Sequence, residues 1–224
     1  IMNFAQIGIS DCAKGKSETL KEHFEDIFFN GKRLSTLISD LLDISKFEAG
    51  IMNLQLEMWS VHTCVENAVT ATRGLVAQKN LVVEIGGAAQ EESALVDARR
   101  LEQVLINLMS NAIRFSPEGG RIVWCFTNTA MLVCDSGITT PALSITIENE
   151  GTNIPEDELE IIFEHFVQGK DGIKKGGGTG LGLTICREFL LPLHGPIHAR
   201  NIANGKVAFE IILPLWHCFS PTNL

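Results

Sequence analysis

The sequence predicts an α+β fold, a two-layer sandwich of helices on a sheet, preceded by a helical hairpin. Three observations carry that expectation. Apolar residues recur at close to heptad spacing over residues 22–48 and the run stops at a glycine, as in a bundle helix. Beyond Gly50, β-rich and helical stretches are interspersed without a strict βαβ repeat, which favours a sandwich over a doubly wound parallel sheet. Among them, residues 99–115 separate their apolar and polar side chains onto two faces of one helix.

The hairpin comes first. Ile1, Phe4, Ile7 and Ile9 make a short apolar stretch that breaks at Lys14-Gly15-Lys16-Ser17. The long helix then carries Ile27, Leu34, Leu37, Ile38, Leu41, Leu42 and Ile44 as a stripe, with Lys32, Arg33, Ser39, Asp40 and Asp43 outside it. Gly50 follows as the expected C-cap. Two helices cannot shield so wide a stripe, so a second copy is expected to complete a dimeric four-helix bundle. The expected divisions are a hairpin over 1–50, a larger domain over 51–216 and a tail over 217–224.

In the larger domain the pattern predicts a short strand at 55–59, a helix at 61–79 through Val65, Ala68, Val69 and Leu75, and a strand at 81–85. The two-faced helix at 99–115 ends at Ser116-Pro117-Glu118-Gly119-Gly120. Strands at 121–127 and 143–149 flank residues 128–142, which read as a long loop or an extended hairpin. A helix is expected at 156–166, a polar glycine-rich loop at 170–179 and a helix at 180–191. Strands at 197–201 and 206–213 close the domain, joined by a turn at Ala203-Asn204-Gly205.

Composition excludes some functions. The formal charge of −9 disfavours sequence-independent nucleic-acid binding, which needs clustered cations to displace counterions. The six cysteines form no C-x-x-C pair, so buried reduced thiols in a cytoplasmic setting are expected. No apolar run reaches membrane length, so no membrane contact is expected of these residues, although a longer parent protein is free to carry an anchor.

The chemistry concentrates in two places. Gly176-Gly177-Gly178-Thr179-Gly180-Leu181-Gly182-Leu183 packs five glycines into eight residues and leads into a helix, a combination that lets backbone N–H groups and a helix N-terminus approach an anion. On the helix at 99–115, Leu101, Leu105, Leu108 and Ala112 form a core stripe, while Gln103, Asn107, Asn111 and Arg114 line the other side. A neutral amide oxygen suits Mg²⁺, which takes the rest of its shell from water and phosphate, and an arginine one turn on can pair with phosphate oxygens. A solvated polar face would look the same if this helix stood alone.

It does not stand alone. The stretch from Asp97 to Pro117 resembles the N box of sensor histidine kinases, and Asn149-Glu150-Gly151-Thr152-Asn153-Ile154-Pro155 is similar to their G1 box. Ile162-Phe163-Glu164-His165-Phe166-Val167-Gln168 looks like the F box and the glycine run like the G2 box, all in the family's order. Residues 39–50 resemble the end of the family's dimerisation and phosphotransfer hairpin. The resemblance covers nearly the whole chain. It implies a Bergerat-type ATP-binding fold, ATP and Mg²⁺ as cofactors, and a homodimer that passes phosphoryl groups to a response-regulator receiver domain.

Carried over residue by residue, the resemblance makes Asn111 the Mg²⁺ ligand and places Asn107 by the phosphates or a metal-bound water. Arg114 becomes a phosphate contact and Phe115 an aromatic packed by the nucleotide. Asn149 becomes the acceptor for the adenine amino group, and Gly151 and Ile154 of the same box are counted among the nucleotide-binding residues. Residues 170–179 match the lid, with Lys174 or Lys175 reaching the phosphate tail. Gly178, Thr179, Gly180 and Gly182 match the G2 loop, bordered by Leu181 and Leu183. No catalytic side chain is assigned.

Four departures qualify this reading, one being that the last glycine element, Gly205-Lys206-Val207-Ala208, lacks the hydroxyl residue often found there. Asn149 stands where the family usually has Asp, which keeps an acceptor for the adenine amino group but loses roughly 1 kcal/mol of charge assistance. Asn153 replaces a second glycine and is expected to tolerate a left-handed turn. The phosphoacceptor motif, His-acidic-x-basic-x-Pro-Leu, is absent, and His23, His62, His165, His194, His198 and His217 all lack its context. Ile1-Met2-Asn3-Phe4 resembles the residues that follow that motif, so these residues are expected to bind ATP without phosphorylating themselves. Two other readings remain open: a degenerate nucleotide-binding scaffold, and another ATPase of the same superfamily.

Overall fold

A computed structural model describes residues 5, 7, 8, 11, 12, 17–51, 53–88, 93–132, 139–165, 167, 180–203 and 205–215. They fall into two compact units, Ile1–Gly50 and Ile51–Leu224.

In the first unit the described residues before Ser17 are helical, and α1 runs Ser17–Glu48. It begins earlier than its apolar stripe. Gly50 takes φ +64° and its N–H donates to the Phe47 carbonyl at 2.8 Å, so the expected glycine stop is present. Phe24, Phe28, Leu34, Ile38, Leu41 and Leu42 are exposed, whereas Asp40, Asp43 and Ile44 are buried. Burial, with the neighbouring Asp43 charge adding to it, holds the Asp40 carboxyl above the usual carboxylate range.

The second unit runs β1 (Glu57–Ser60), α2 (Val61–Gln78), β2 (Val82–Gly87), β3 (Ser93–Val96), α3 (Ala98–Phe115), β4 (Arg121–Leu132), β5 (Thr139–Glu150), α4 (Gly182–Leu190), β6 (Ile197–Ile202) and β7 (Lys206–Pro214). Five strands form one mixed sheet in the order β2-β4-β5-β7-β6, with β2 parallel to β4 and the other pairs antiparallel. The pleat sends Ile122, Trp124 and Phe126 of β4, Leu143, Ile145 and Ile147 of β5, and Phe209, Ile211 and Leu213 of β7 to one face. All of them are buried, and they make the core together with Leu101, Val104, Leu105, Leu108 and Met109 of α3. Helix α3 is central, between α2 and α4, which makes the helical layer of the sandwich. The fold class is the one expected.

Several elements differ from expectation. Of residues 128–142, those described continue the two strands, because β4 runs on to Leu132 and β5 starts at Thr139, with Leu132 paired to Thr139; residues 133–138 lie outside the described residues. Strand β3 had no counterpart in the sequence reading; it pairs antiparallel with β1 to form a separate two-stranded sheet. The helix expected at 156–166 is instead two 3₁₀ turns, Glu156–Glu158 and Ile161–Phe163. Adjacent Ile162 and Phe163 are both buried, with the Phe163 ring edge-on to Phe209, and the Glu164 carbonyl accepts from the Thr184 hydroxyl at 2.9 Å. Tertiary contacts thus take the groups that a continuing helix would use. Among the described cysteines, Cys64 and Cys186 are buried thiols as expected, but Cys12 is exposed.

Candidate functional site

The site is built outward from α3. Asp97 caps its start, accepting from the Arg100 N–H at 3.2 Å, and its other carboxylate oxygen accepts from the Gln55 N–H at 3.1 Å. The expected core stripe is buried, which leaves Gln103, Asn107, Asn111 and Arg114 partly exposed on the opposite side. At the far end Lys79 donates to the carbonyls of Ile113, Arg114 and Ser116 at 2.9, 3.0 and 3.0 Å. One ammonium group thereby satisfies carbonyls that the helix end leaves orphaned. The Arg114 guanidinium lies 5.2 Å from the centre of the Phe115 ring.

The second wall begins at the end of β5. Asn149 is 3% exposed, and its Nδ2 donates to the Glu150 carbonyl at 3.0 Å, which leaves Oδ1 as the acceptor that the sequence reading required. A Cβ on Gly151 would come within 2.8 Å of the Phe115 carbonyl, so only glycine lets this loop meet the end of α3. Asn153 is not left-handed, since Asn80 and His194 are the non-glycine residues with positive φ among those described. The conformational tolerance expected of Asn153 is therefore not used. Ile154 is held through both its N–H and its carbonyl by Asn201, at 2.9 and 2.7 Å.

The third wall is the entry to α4. Gly180 takes φ +72° and Gly182 opens the helix, where its carbonyl accepts from Asn107 Nδ2 at 3.2 Å. Asn107 thus ties the glycine turn to α3 and retains its amide oxygen as an acceptor. Leu181 is buried and Leu183 is half-buried beside it. Lys174, Lys175, Gly178 and Thr179 lie outside the described residues.

The structure therefore brings Asn107, Asn111, Arg114 and Phe115 together on one helix, with Gly151 packed against the helix end and Gly182 bonded to its middle. A cleft of about 540 Å³ lies at this end of the domain, lined by Phe115, Pro117, Glu150, Gly151, Thr152, Gly205 and Lys206. It shares Phe115 and Gly151 with the expected set but not Asn107 or Asn111, so the two faces adjoin without coinciding. Among the described residues no cluster of His, Cys, Asp or Glu could hold a metal by itself. An ion ligated by Asn111 would take the rest of its shell from phosphate and water, the arrangement Mg²⁺ favours. Beside the start of α3, the Cys64 thiol is pushed up to about 11 by burial and by Glu102, so it offers no nucleophile at neutral pH.

Sequence reasoning missed Lys79, Asn201 and Thr184. Asn201 did leave a signal, as a polar residue in the inward phase of a strand whose other inward residues are Ile197 and Ala199. Lys79 and Thr184 left none beyond composition, because their partners are backbone groups distant in sequence.

The family described as "Histidine kinase-, DNA gyrase B-, and HSP90-like ATPase" matches residues 96–217, more than half of the chain. The chain belongs to this ATPase family. Within it the likeness is to sensor histidine kinases. Hybrid signal transduction histidine kinase D of Dictyostelium discoideum is 34% identical over 88% of the chain, and the sensor histidine kinase TmoS of Ectopseudomonas mendocina is 29% identical over 92%. The chain spans only 12% and 20% of those two relatives. Among solved structures, the histidine kinase AdeS of Acinetobacter baumannii superposes with a TM-score of 0.71 at 25% identity, covering 96% of this chain and 94% of that one. Histidine kinase ThkA in complex with the response regulator protein TrrA gives 0.68 at 23% identity, covering 96% of this chain and 58% of that one, and shows the fold alone. The matched region of this ATPase-family chain is an ATP-binding catalytic domain of the histidine-kinase type. Among the described residues no helix is long and apolar enough to cross a membrane.

Proposed function

We propose that this chain is the nucleotide-binding catalytic region of a sensor histidine kinase, which transfers the γ-phosphoryl group of Mg-ATP to a histidine on a helical hairpin for relay to a response-regulator aspartate. The observation that carries the reading is the convergence on α3: Asn107, Asn111 and Arg114 share one face, and Asn107 is bonded to Gly182 at 3.2 Å. On this reading Asn111 holds Mg²⁺, Arg114 meets phosphate oxygens, and Asn149 Oδ1 accepts the adenine amino hydrogen. Lys174 or Lys175, with Gly178 and Thr179, closes over the phosphates. Mg-ATP supplies the phosphoryl group; the chain's own residues orient it, neutralise charge and exclude water.

The reading includes three finer points. The exposed stripe of α1 is the homodimer surface, a receiver domain is the downstream partner, and the setting is cytoplasmic. Because the acceptor motif does not occur in these residues, the acceptor histidine is expected to be supplied in trans when they are assayed alone. Asn149 and Asn153 support a second reading, a degenerate nucleotide-binding scaffold. Calorimetric titration with ATP, with and without Mg²⁺, separates the two: no binding at millimolar ATP would remove the kinase reading. Asn111→Ala should abolish the Mg²⁺-dependent part of ATP affinity, and unchanged affinity would remove the metal assignment.

A further inference from the structure

Asn201 ends the inward-facing series of β6 and pairs across the sheet with Val207, a buried residue of β7. A polar side chain in that register must find partners, because an unpaired amide against an apolar layer is costly. It finds both in one residue. Nδ2 donates to the Ile154 carbonyl at 2.7 Å, and the Ile154 N–H donates to Oδ1 at 2.9 Å. The side-chain amide thus gives a loop residue the two bonds that a neighbouring strand would give. A second tie, from the Gly151 N–H to the Gly205 carbonyl at 2.9 Å, fastens the other end of the same loop to the β6–β7 turn. Between the ties run Gly151, Thr152, Asn153 and Ile154, with Gly151 pressed against the Phe115 carbonyl.

We propose that Asn201 is a positioning residue for the nucleotide site. It holds the loop at 151–154 against the end of α3, and so fixes where Gly151 and Ile154 stand relative to Asn111 and Arg114. Asn201 touches no nucleotide; it acts through Ile154. The inference rests on the nucleotide reading above and adds to it a residue outside every motif that suggested that reading.

Asn201→Asp tests it with little change of shape. The carboxylate sets an oxygen against the Ile154 carbonyl in place of a donor, and the repulsion pushes the loop away and loosens both bonds to Ile154. Calorimetric titration with Mg-ATP, well below the melting temperature of each protein, should give about tenfold weaker binding for Asn201→Asp. Amide exchange at Ile154 should accelerate in the same variant. Asn201→Ser, which keeps one bonding group, should fall between the two, and it serves in place of Asn201→Asp if that variant does not fold. A lower melting temperature with wild-type affinity in the folded variant would make Asn201 structural and overturn the proposal. If the wild type itself fails to bind Mg-ATP, the nucleotide reading falls and this inference with it. That outcome differs from the first, in which wild type and variant bind equally.

Discussion

At the end of α3, backbone carbonyls with no helical partner meet one ammonium group. Lys79 donates to three of them, and its own backbone carbonyl accepts from the Gly119 N–H at 3.0 Å, so the α2 and α3 termini are stitched through a single residue. Hydrogen bonds to a charged group in a part-buried place contribute more than neutral ones, and leaving their acceptors unpaired adds a further cost. Lys79→Met should therefore lower unfolding stability by about 2 kcal/mol in urea titration, although the side chain belongs to no recognisable motif. Stability within a few tenths of wild type would show that water replaces the ammonium without loss. Gly151 is the converse case. It was legible in the sequence as a motif glycine, but its physical reason, the closeness of the Phe115 carbonyl, is not a matter of φ and could not be read before the fold was known.

At the scale of elements, α1 makes two predictions. Its exposed Phe24, Phe28, Leu34, Ile38, Leu41 and Leu42 recur at helical spacing along one side, an apolar strip too long to be left to water. Ile38→Asp should shift the protein from dimer to monomer in sedimentation analysis, and a wild type that is monomeric at every concentration would contradict the dimer. Asp40 governs pH. Because its carboxyl is held above the usual range by burial and by Asp43, the folded state binds its proton more tightly than the unfolded state does. Its contribution is thus favourable in acid and is lost as pH rises through the ordinary and then the raised value. Asp40→Asn should raise the melting temperature at about pH 7 and change it little near about pH 3; a stabilisation equal at both would assign the effect to packing.

Elements also show what was legible. Helix α3 was bounded within a residue because a clean two-faced pattern and the Ser116-Pro117 stop agree. Residues 156–166 were misread because Glu156, Asp157 and Glu158 signal a helix start, yet Ile162 and Phe163 are drawn together into the core and the segment tightens to 3₁₀. Strand β3 was missed because its stability comes from pairing with β1, a long-range contact that a four-residue pattern does not announce. The candidate site was legible where its residues share one helix face or one glycine turn. It was illegible where a side chain acts on the backbone of a distant element, as Asn201 does on Ile154.

For the whole molecule, the larger unit is the ATP-binding sandwich of its family, and three walls meet at α3: the helix face itself, the end of β5 with the loop at 151–154, and the glycine turn at 180–182. The smaller unit carries the apolar stripe and lacks a phosphoacceptor motif. The central claim is that these walls bind Mg-ATP through Asn111. The measurement that tests it most directly is calorimetric titration of the wild type and Asn111→Ala with ATP, with and without Mg²⁺. The account predicts binding by the wild type that strengthens with Mg²⁺ and a variant in which Mg²⁺ makes no difference. No binding by the wild type at millimolar ATP, or equal Mg²⁺ dependence in both proteins, would contradict it.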